Sequence, residues 1–406
     1  MGLIRGVLKF YSHDRGRSWT EPEPVLYQGE QIIGYGDPQG ILRLQSGRLG
    51  MTHYGPLEAK DLPDQGPSAQ ARSKEGLRAL YFRTSDDEGE TWGPAHLVSG
   101  PGVVRWYSLH DTLIQLRSGR LLWPLYGGSS GYDPTNHPKI EEQKRGLGHL
   151  WHSENLGITK MFYSDDEGET WSASPDDLML WLDEGYSNLD ALHETTVAET
   201  KNGRVLALAR CGQMRAVQTF SHDNGEHWSL AELSELCASN APVRVRTIPS
   251  TGDLMVVWNQ VTAEEHRQYY GRCRLSAAIS TDNGNTWKNF RNIHVTPGLD
   301  DSPRVRDPEP PHFVRPGSST RPEDALVDNQ INGFLRASYA NFWFFGDEVL
   351  IEHDYWFRPD PWSRHPIPDK WKPLTKNRNR RTSAGHLLSS LPRRAHILPL
   401  SWFYSE

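Results

Sequence analysis

One octapeptide pattern, Ser-x-Asp-x-Gly-x-x-Trp, occurs five times in this chain and limits what it can fold into more than any other feature. The copies start at Ser12, Ser85, Ser164, Ser221 and Ser280 and end at Trp19, Trp92, Trp171, Trp228 and Trp287. An apolar or aromatic run precedes most of them, such as Ala79-Leu80-Tyr81-Phe82. The pattern describes a β-hairpin turn. The Asp carboxylate accepts hydrogen bonds from the turn's own amides, and the Gly supplies a positive φ. The Trp is expected to fold back as an apolar plug between neighbouring units. Five copies make a repeat architecture.

The copies lie roughly 60 to 80 residues apart, a period that fits four-stranded blades with variable loops. A second unit alternates with them: an apolar strand, a glycine-containing turn and another apolar strand. Its turn glycines are Gly47, Gly119, Gly203, Gly252 and, in a degraded copy, Gly346. These read as the inner hairpins of blades, with the Trp-bearing turns closing the outer hairpins. The expected fold is all-β, a six-bladed β-propeller in one domain over residues 1–406. An orphan outer hairpin at residues 7–26 would pair with C-terminal strands to close the ring and remove exposed edges. The stretch His396 to Tyr404 would supply strands of the sixth blade, and residues 358–392 read as a long loop.

Composition narrows the function. A formal charge of -7 and the lack of a basic stripe argue against nucleic acid. The run Lys376 to Arg381 reads as a solvated loop. Cys211, Cys237 and Cys273 are an odd number without metal-ligand spacing, so neither a disulfide framework nor a zinc site is signalled, and no cofactor is. No apolar run approaches the ~20 residues of a membrane span. No signal-peptide core follows Met1, so a cytoplasmic location is the expectation, or a start truncated from a longer product. The oligomeric state is left open.

Seven residues beyond each inner-turn glycine stand Tyr54, Tyr126, Arg210, Asn259 and His353, all able to hydrogen-bond. A hairpin brings its ends together, so Asp37, His110, Asp111, His193, Glu194, Asn240, Tyr339 and Asn341, at the starts of the first inner strands, belong to the same mouth. Convergent polar groups in a concave site are the default binding hypothesis. Glu194 stands opposite Arg210 in one blade as a charged pair.

The Trp-bearing turns resemble the Asp boxes of the sialidase (neuraminidase) superfamily, six-bladed propeller glycoside hydrolases, over nearly the whole chain up to about Tyr355. Asp boxes mark the fold and lie opposite the active site. More specific is the stretch from Glu194 to Gly203 and on to Arg210, similar to the third-blade segment that carries a catalytic Glu and a carboxylate-binding Arg. Leu122 to Tyr126 resembles the second-blade strand. Arg272 precedes the fifth Asp box as a later substrate-binding Arg does, and Tyr339 lies where the family keeps its nucleophile. The resemblance implies a terminal sialic acid or related acidic sugar on a glycan or glycoconjugate, cleaved with retention. Arg residues would bind the sugar's carboxylate, Tyr339 would attack, Glu194 would activate it, and Asp61 or Asp64 would protonate the leaving oxygen. Three departures stand out. Asp37 occupies the place of the family's first Arg, Tyr339 is one residue short of the family spacing, and His193 replaces a small polar residue. Two alternatives follow: a lyase on uronate-containing glycan, and a non-catalytic glycan-binding propeller.

Overall fold

The computed structural model describes residues 8–27, 30–31, 38–56, 78–99, 104–129, 156–181, 189–190, 192–267, 270–296, 299–305, 335–357 and 394–405. Among these the chain forms antiparallel meanders. Three short ribbons stand apart: β1 (Leu8–Lys9) with β2 (Glu23–Pro24), β3 (Leu26–Tyr27) with β4 (Glu30–Gln31), and, later in the chain, Leu180–Trp181 with Leu189–Asp190. The first blade is β5 (Pro38–Arg43), β6 (Leu49–Pro56), β7 (Arg78–Ser85) and β8 (His96–Ser99). The second is β10 (Ile114–Gln115), β11 (Leu121–Ser129), β12 (Leu156–Ser164) and β13 (Ser172–Ala173), with an extra strand β9 (Val104–Tyr107) on β11. After the Leu180 ribbon, β14 and β15, the third blade is β16 (His193–Glu199), β17 (Val205–Arg210), β18 (Arg215–Ser221) and β19 (Glu232–Cys237). The fourth is β20 (Arg244–Thr247), β21 (Leu254–Trp258), β22 (Arg274–Ser280) and β23 (Lys288–Val295). The fifth is β24 (Leu335–Phe345), β25 (Glu348–Phe357) and β26 (Arg394–Pro399).

The propeller class is as expected, but the described residues form five blades and not six. The C-terminal stretch does not open a new blade. His396 pairs with Ile351 and Leu398 with Val349, so β26 is the third strand of the fifth blade. The N-terminal ribbon β1–β2 is a sheet of its own. The loop expected over residues 358–392 lies outside the described residues.

By compactness the chain divides into two units. One comprises Met1–Met179, Ala191–Val197 and Phe220–Ser229; the other comprises Leu180–Asp190, Ala198–Thr219 and Leu230–Glu406. In the first, Leu44, Leu80, Phe82, Leu121, Trp123, Leu125 and Phe162 pack into one buried cluster. In the second, Met255, Val257, Leu275, Ile279, Phe342, Ile351 and Phe403 do the same. Burying each such side chain contributes about 1.5–3 kcal/mol.

The Trp-bearing turns close as their chemistry requires. In the copy at Ser164, the Ser164 hydroxyl donates to Asp166 Oδ1 at 2.8 Å and accepts the Gly168 N–H at 2.8 Å. Asp166 then accepts the Thr170 N–H at 2.9 Å and the Thr170 hydroxyl at 2.6 Å. Asp14 and Asp87, which accept the same donors, have pKa values lowered to about 2, chiefly by the hydroxyl and N–H of Ser18 and of Thr91. The plug role of the Trp is uneven. Trp92 and Trp287 are buried, whereas Trp19 is 53% exposed.

The turn glycines do more than bend the chain. A Cβ on Gly168 would lie 2.2 Å from the Phe82 ring, one on Gly225 2.7 Å from Leu122, and one on Gly284 2.7 Å from Leu206. Each turn is therefore seated on the preceding blade. The arginine after an inner-turn glycine grips the same joint. Arg120 holds Asp165 with two hydrogen bonds, at 2.7 and 2.9 Å, and reaches the Asn224 carbonyl in the next Trp-bearing turn at 3.4 Å. Arg204 likewise donates to the Asn283 carbonyl at 3.2 Å. In the fourth blade Asp253 replaces that arginine, and no further Trp-bearing turn follows. The Tyr404 hydroxyl instead donates to Asp253 at 2.7 Å, beside a short 3-10 turn, Leu400–Phe403, whose Leu400 and Phe403 are buried.

Candidate functional site

Backbone strain marks the starts of three inner hairpins. Asp111, Glu194 and Tyr339 have φ values of 56°, 50° and 53°, in the left-handed region that residues other than glycine rarely adopt. Such conformations cost of order 1–3 kcal/mol and persist where the surroundings impose them, often at functional sites. Before Asn341 the β24–β25 register shifts, so a β-bulge re-aims Tyr339. A similar shift separates Pro38 from Gly40 in the first blade.

In the first unit, Asp111 is half-buried and its N–H donates to the Gln39 carbonyl. Only glycine at position 40 allows that approach, because a Cβ there would meet Asp111 Cα at 2.8 Å. The Tyr54 hydroxyl accepts the Ser108 N–H at 2.8 Å and so ties the first blade to the strand that leads to His110 and Asp111. His110 is exposed. Tyr126 stacks on Tyr107 at 5.9 Å between ring centroids, and the His193 ring meets it edge-on at 5.6 Å. Glu194 follows at 6% exposure. Its strand is anchored by a Thr195–Thr159 hydroxyl hydrogen bond of 2.9 Å and by the Thr159 hydroxyl donating to the Leu192 carbonyl at 3.0 Å.

In the second unit, the Arg272 guanidinium stands over the Tyr339 ring, 5.5 Å from its centroid, and donates to the Asn240 carbonyl at 2.6 Å. The Ala337 N–H donates to the Arg272 carbonyl at 3.0 Å, so the backbones carrying these two side chains are fastened together. Arg210 is 7% exposed at the end of β17. A buried guanidinium beside a phenol ring is chemically suited to hold an anion next to a nucleophilic oxygen.

Two members of the expected polar column serve the scaffold instead. Asn259 is buried and donates both amide hydrogens to backbone carbonyls, of Arg274 at 2.7 Å and Ala337 at 2.6 Å. It clamps the fourth blade to the fifth. His353 is wholly buried, with Nδ1 hydrogen-bonded to the Asp354 carbonyl at 2.9 Å and Nε2 to His396 Nε2 at 3.0 Å. It belongs to a histidine cluster of the last blade. Asn341 accepts from Arg246 at 2.9 Å. Asp37, Asp61 and Asp64 lie outside the described residues.

Sequence reasoning missed a buried ion pair two residues beyond Arg272. Arg274 is 1% exposed and pairs with Glu265 at 2.7 Å while donating to the Ser302 carbonyl at 3.0 Å. Glu265 also caps the short helix Ala263–Arg267 reciprocally with Thr262, both bonds at 3.0 Å. The signal was present as Thr262-Ala263-Glu264-Glu265, a capping-box spacing. Among the described residues, no cluster of three or more His, Cys, Asp or Glu has a metal-holding arrangement, and no helix is long and apolar enough to cross a membrane.

The sequence matches the BNR repeat-like domain over residues 64–309, more than half of the chain. The chain belongs to the BNR repeat-like family. Its fold resembles that of sialidase-type propellers. A Dyadobacter fermentans protein of unknown function is similar at 18% identity and a TM-score of 0.50, covering 87% of this chain and 80% of that one. The intramolecular trans-sialidase of Ruminococcus gnavus is similar at 14% identity and a TM-score of 0.54, over 98% of this chain and 88% of its own. A leech intramolecular trans-sialidase gives 14% identity and a TM-score of 0.54, and this BNR-repeat chain spans 63% of the leech chain's length. At these identities the likeness is one of fold. Curated proteins give no match to the sequence.

Proposed function

We propose that this protein is a sialidase-type exo-glycoside hydrolase that cleaves a terminal acidic sugar, sialic acid or a relative, from a glycan with retention at the anomeric carbon. The observation that carries the reading is Arg272 standing over the ring of Tyr339, with Tyr339 held in a strained conformation. A sugar with a carboxylate beside its anomeric carbon repels a carboxylate nucleophile and favours a phenol. In the proposed reaction Arg210 and Arg272 bind the sugar carboxylate by charge-assisted hydrogen bonds. Tyr339 Oη bonds to the anomeric carbon as Glu194 takes the phenolic proton, and Asp61 or Asp64 protonates the departing oxygen. Water then cleaves the glycosyl–tyrosine bond, with the roles of the acids reversed. Glu194, like Tyr339, holds a left-handed backbone at the start of an inner hairpin, outside the turns that account for most such residues, which supports its role as the base. The Ruminococcus gnavus relative was crystallised with a ligand that is a carboxylate by name, in keeping with an anionic substrate.

The test is turnover of a fluorogenic sialoside by Glu194→Gln and Arg210→Ala. Both variants are expected to remain folded and to lose at least 100-fold in kcat/KM. Full activity in either would remove that residue from the site.

A further inference from the structure

Two buried histidines, in different blades, are held by the same arrangement. His53 on β6 and His353 on β25 each have Nδ1 hydrogen-bonded to the carbonyl of the next residue, Tyr54 at 3.1 Å and Asp354 at 2.9 Å. A carbonyl only accepts, so Nδ1 carries the proton and Nε2 of the neutral ring is an acceptor. The third strand of each blade supplies the donor. Arg83 Nε donates to His53 Nε2 at 3.0 Å, and His396 Nε2 lies 3.0 Å from His353 Nε2, where it must donate. The offset is also the same. His53 pairs with Tyr81 and His353 with Arg394, and the donors, Arg83 and His396, stand two residues further along.

Each histidine stands opposite a bulge in the first strand of its blade. In the first blade the register steps from Pro38 opposite His53 to Gly40 opposite Thr52. The extra residue is Gln39, whose carbonyl accepts the Asp111 N–H. In the fifth blade it steps from Ser338 opposite Asp354 to Asn341 opposite Glu352, so Tyr339 and Ala340 together face His353. A bulge re-aims the side chain it carries, and a φ such as the 53° of Tyr339 persists only where the surroundings impose it. His353 is wholly buried, with the rings of His294 on β23 and His396 on β26 at 5.9 and 5.2 Å between centroids. One buried polar pair can be scaffold alone. The same bonds at the same offset behind two bulges make a device for holding bulges.

We propose that His353 is a positioning residue for Tyr339: locked by the Asp354 carbonyl and by His396, its ring braces the bulge that turns Tyr339 toward the reacting centre. This rests on the proposed function, because it takes Tyr339 as the nucleophile. The brace acts through the backbone. A His353 ring without its donor can leave its rotamer, and the bulge opposite it then relaxes toward ordinary extended φ and carries the Tyr339 hydroxyl away. The first blade shows that a guanidinium can serve as the donor, so arginine is the conservative replacement at 396. Leucine there fills space without donating.

The experiment measures turnover of a fluorogenic sialoside by His396→Leu and His396→Arg. In His396→Leu kcat is expected to fall about 10- to 100-fold with KM nearly unchanged, and in His396→Arg to return to within about threefold of the wild type. His396→Met, more flexible and also without a donor, is measured alongside in case leucine packs badly. A melting temperature lowered with kcat intact overturns the proposal, and so does an arginine variant as slow as the leucine one. Amide hydrogen exchange reads the brace without turnover. Peptides covering β24 should exchange faster in His396→Leu and at the wild-type rate in His396→Arg, while those covering β21 stay unchanged. Exchange in β24 that does not respond overturns the brace, whether or not the enzyme turns over. A wild type inactive on sialosides with a responsive β24 overturns the hydrolase reading and supports the brace.

Discussion

The Arg272 guanidinium lies 5.5 Å from the centre of the Tyr339 ring, and the two backbones are joined by the Ala337 N–H to Arg272 carbonyl hydrogen bond. A substitution in either side chain is therefore felt at one place. Tyr339→Phe removes only the hydroxyl and keeps the ring under Arg272. We expect a loss of at least 1,000-fold in kcat with the melting temperature nearly unchanged. Arg272→Lys keeps the charge but loses the planar fork, and is expected to raise KM for the acidic sugar more than it lowers kcat. Steady-state kinetics with thermal melting of both variants checks this.

The Arg274–Glu265 ion pair predicts a different signature. Glu265→Ala strips the partner from a buried guanidinium, which typically destabilises by about 3–5 kcal/mol. Glu265→Gln keeps the cap to Thr262 and a neutral acceptor for Arg274, and should recover part of that loss. Urea unfolding of the two variants distinguishes them; equal loss in both would mean that the charge carries the whole effect and the retained cap and acceptor none of it.

The seating of the Asp-box glycines gives a matched pair. Gly168 and Gly119 have nearly the same φ, +93° and +95°. A Cβ at Gly168 meets Phe82 at 2.2 Å, whereas at Gly119 nothing lies within 4 Å. Gly119→Ala should show the backbone cost alone, about 1–2 kcal/mol, and Gly168→Ala that cost plus about 1–3 kcal/mol for overpacking. Chemical denaturation checks the difference; equal effects would mean that the turn is not seated on the preceding blade.

Buried histidines set the acid limit of stability. Burial lowers the pKa of His53 and of His294 to about 4, with Arg83 and His353 respectively adding to the effect. The unfolded chain then binds more protons below the ordinary histidine pKa of about 6.5. The stability these neutral rings contribute is fully present above that value and declines as pH falls toward about 4. The Asp-box carboxylates act lower, between about 4 and 2, because Asp14, Asp87 and Asp223 are held near 2. Urea midpoints from pH 7.5 to 4.5 should fall steadily, and His53→Gln should flatten the slope. A slope unaffected by that change would contradict the assignment.

How much could be read in the chain beforehand follows from how local each interaction is. The Ser164–Asp166–Gly168–Thr170 bonds close within one turn, so the octapeptide announces them, and the blade phase follows. The fate of His396 to Pro399 depends on pairing with β25, which is distant in sequence, and this is why six blades were expected where five are described. Arg210, Glu194 and Tyr339 came from the register of the inner-turn glycines, and Arg272, with the roles of all four, from a family likeness. Their strain did not, because nothing in a Glu or a Tyr announces a left-handed backbone imposed by its surroundings. Asn259 and His353 looked like site residues because strand ends favour polar groups; only their partners, two carbonyls and His396, show that they serve the scaffold.

A retaining reaction through Tyr339 can be trapped with a 2,3-difluorinated sialic acid and read by peptide mass spectrometry. The fluorine beside the anomeric carbon slows breakdown of the glycosyl–enzyme bond, so the intermediate accumulates. A single adduct is expected on the peptide containing Tyr339, absent in Tyr339→Phe. Turnover of sialosides with no adduct, or with the adduct on another residue, would contradict it.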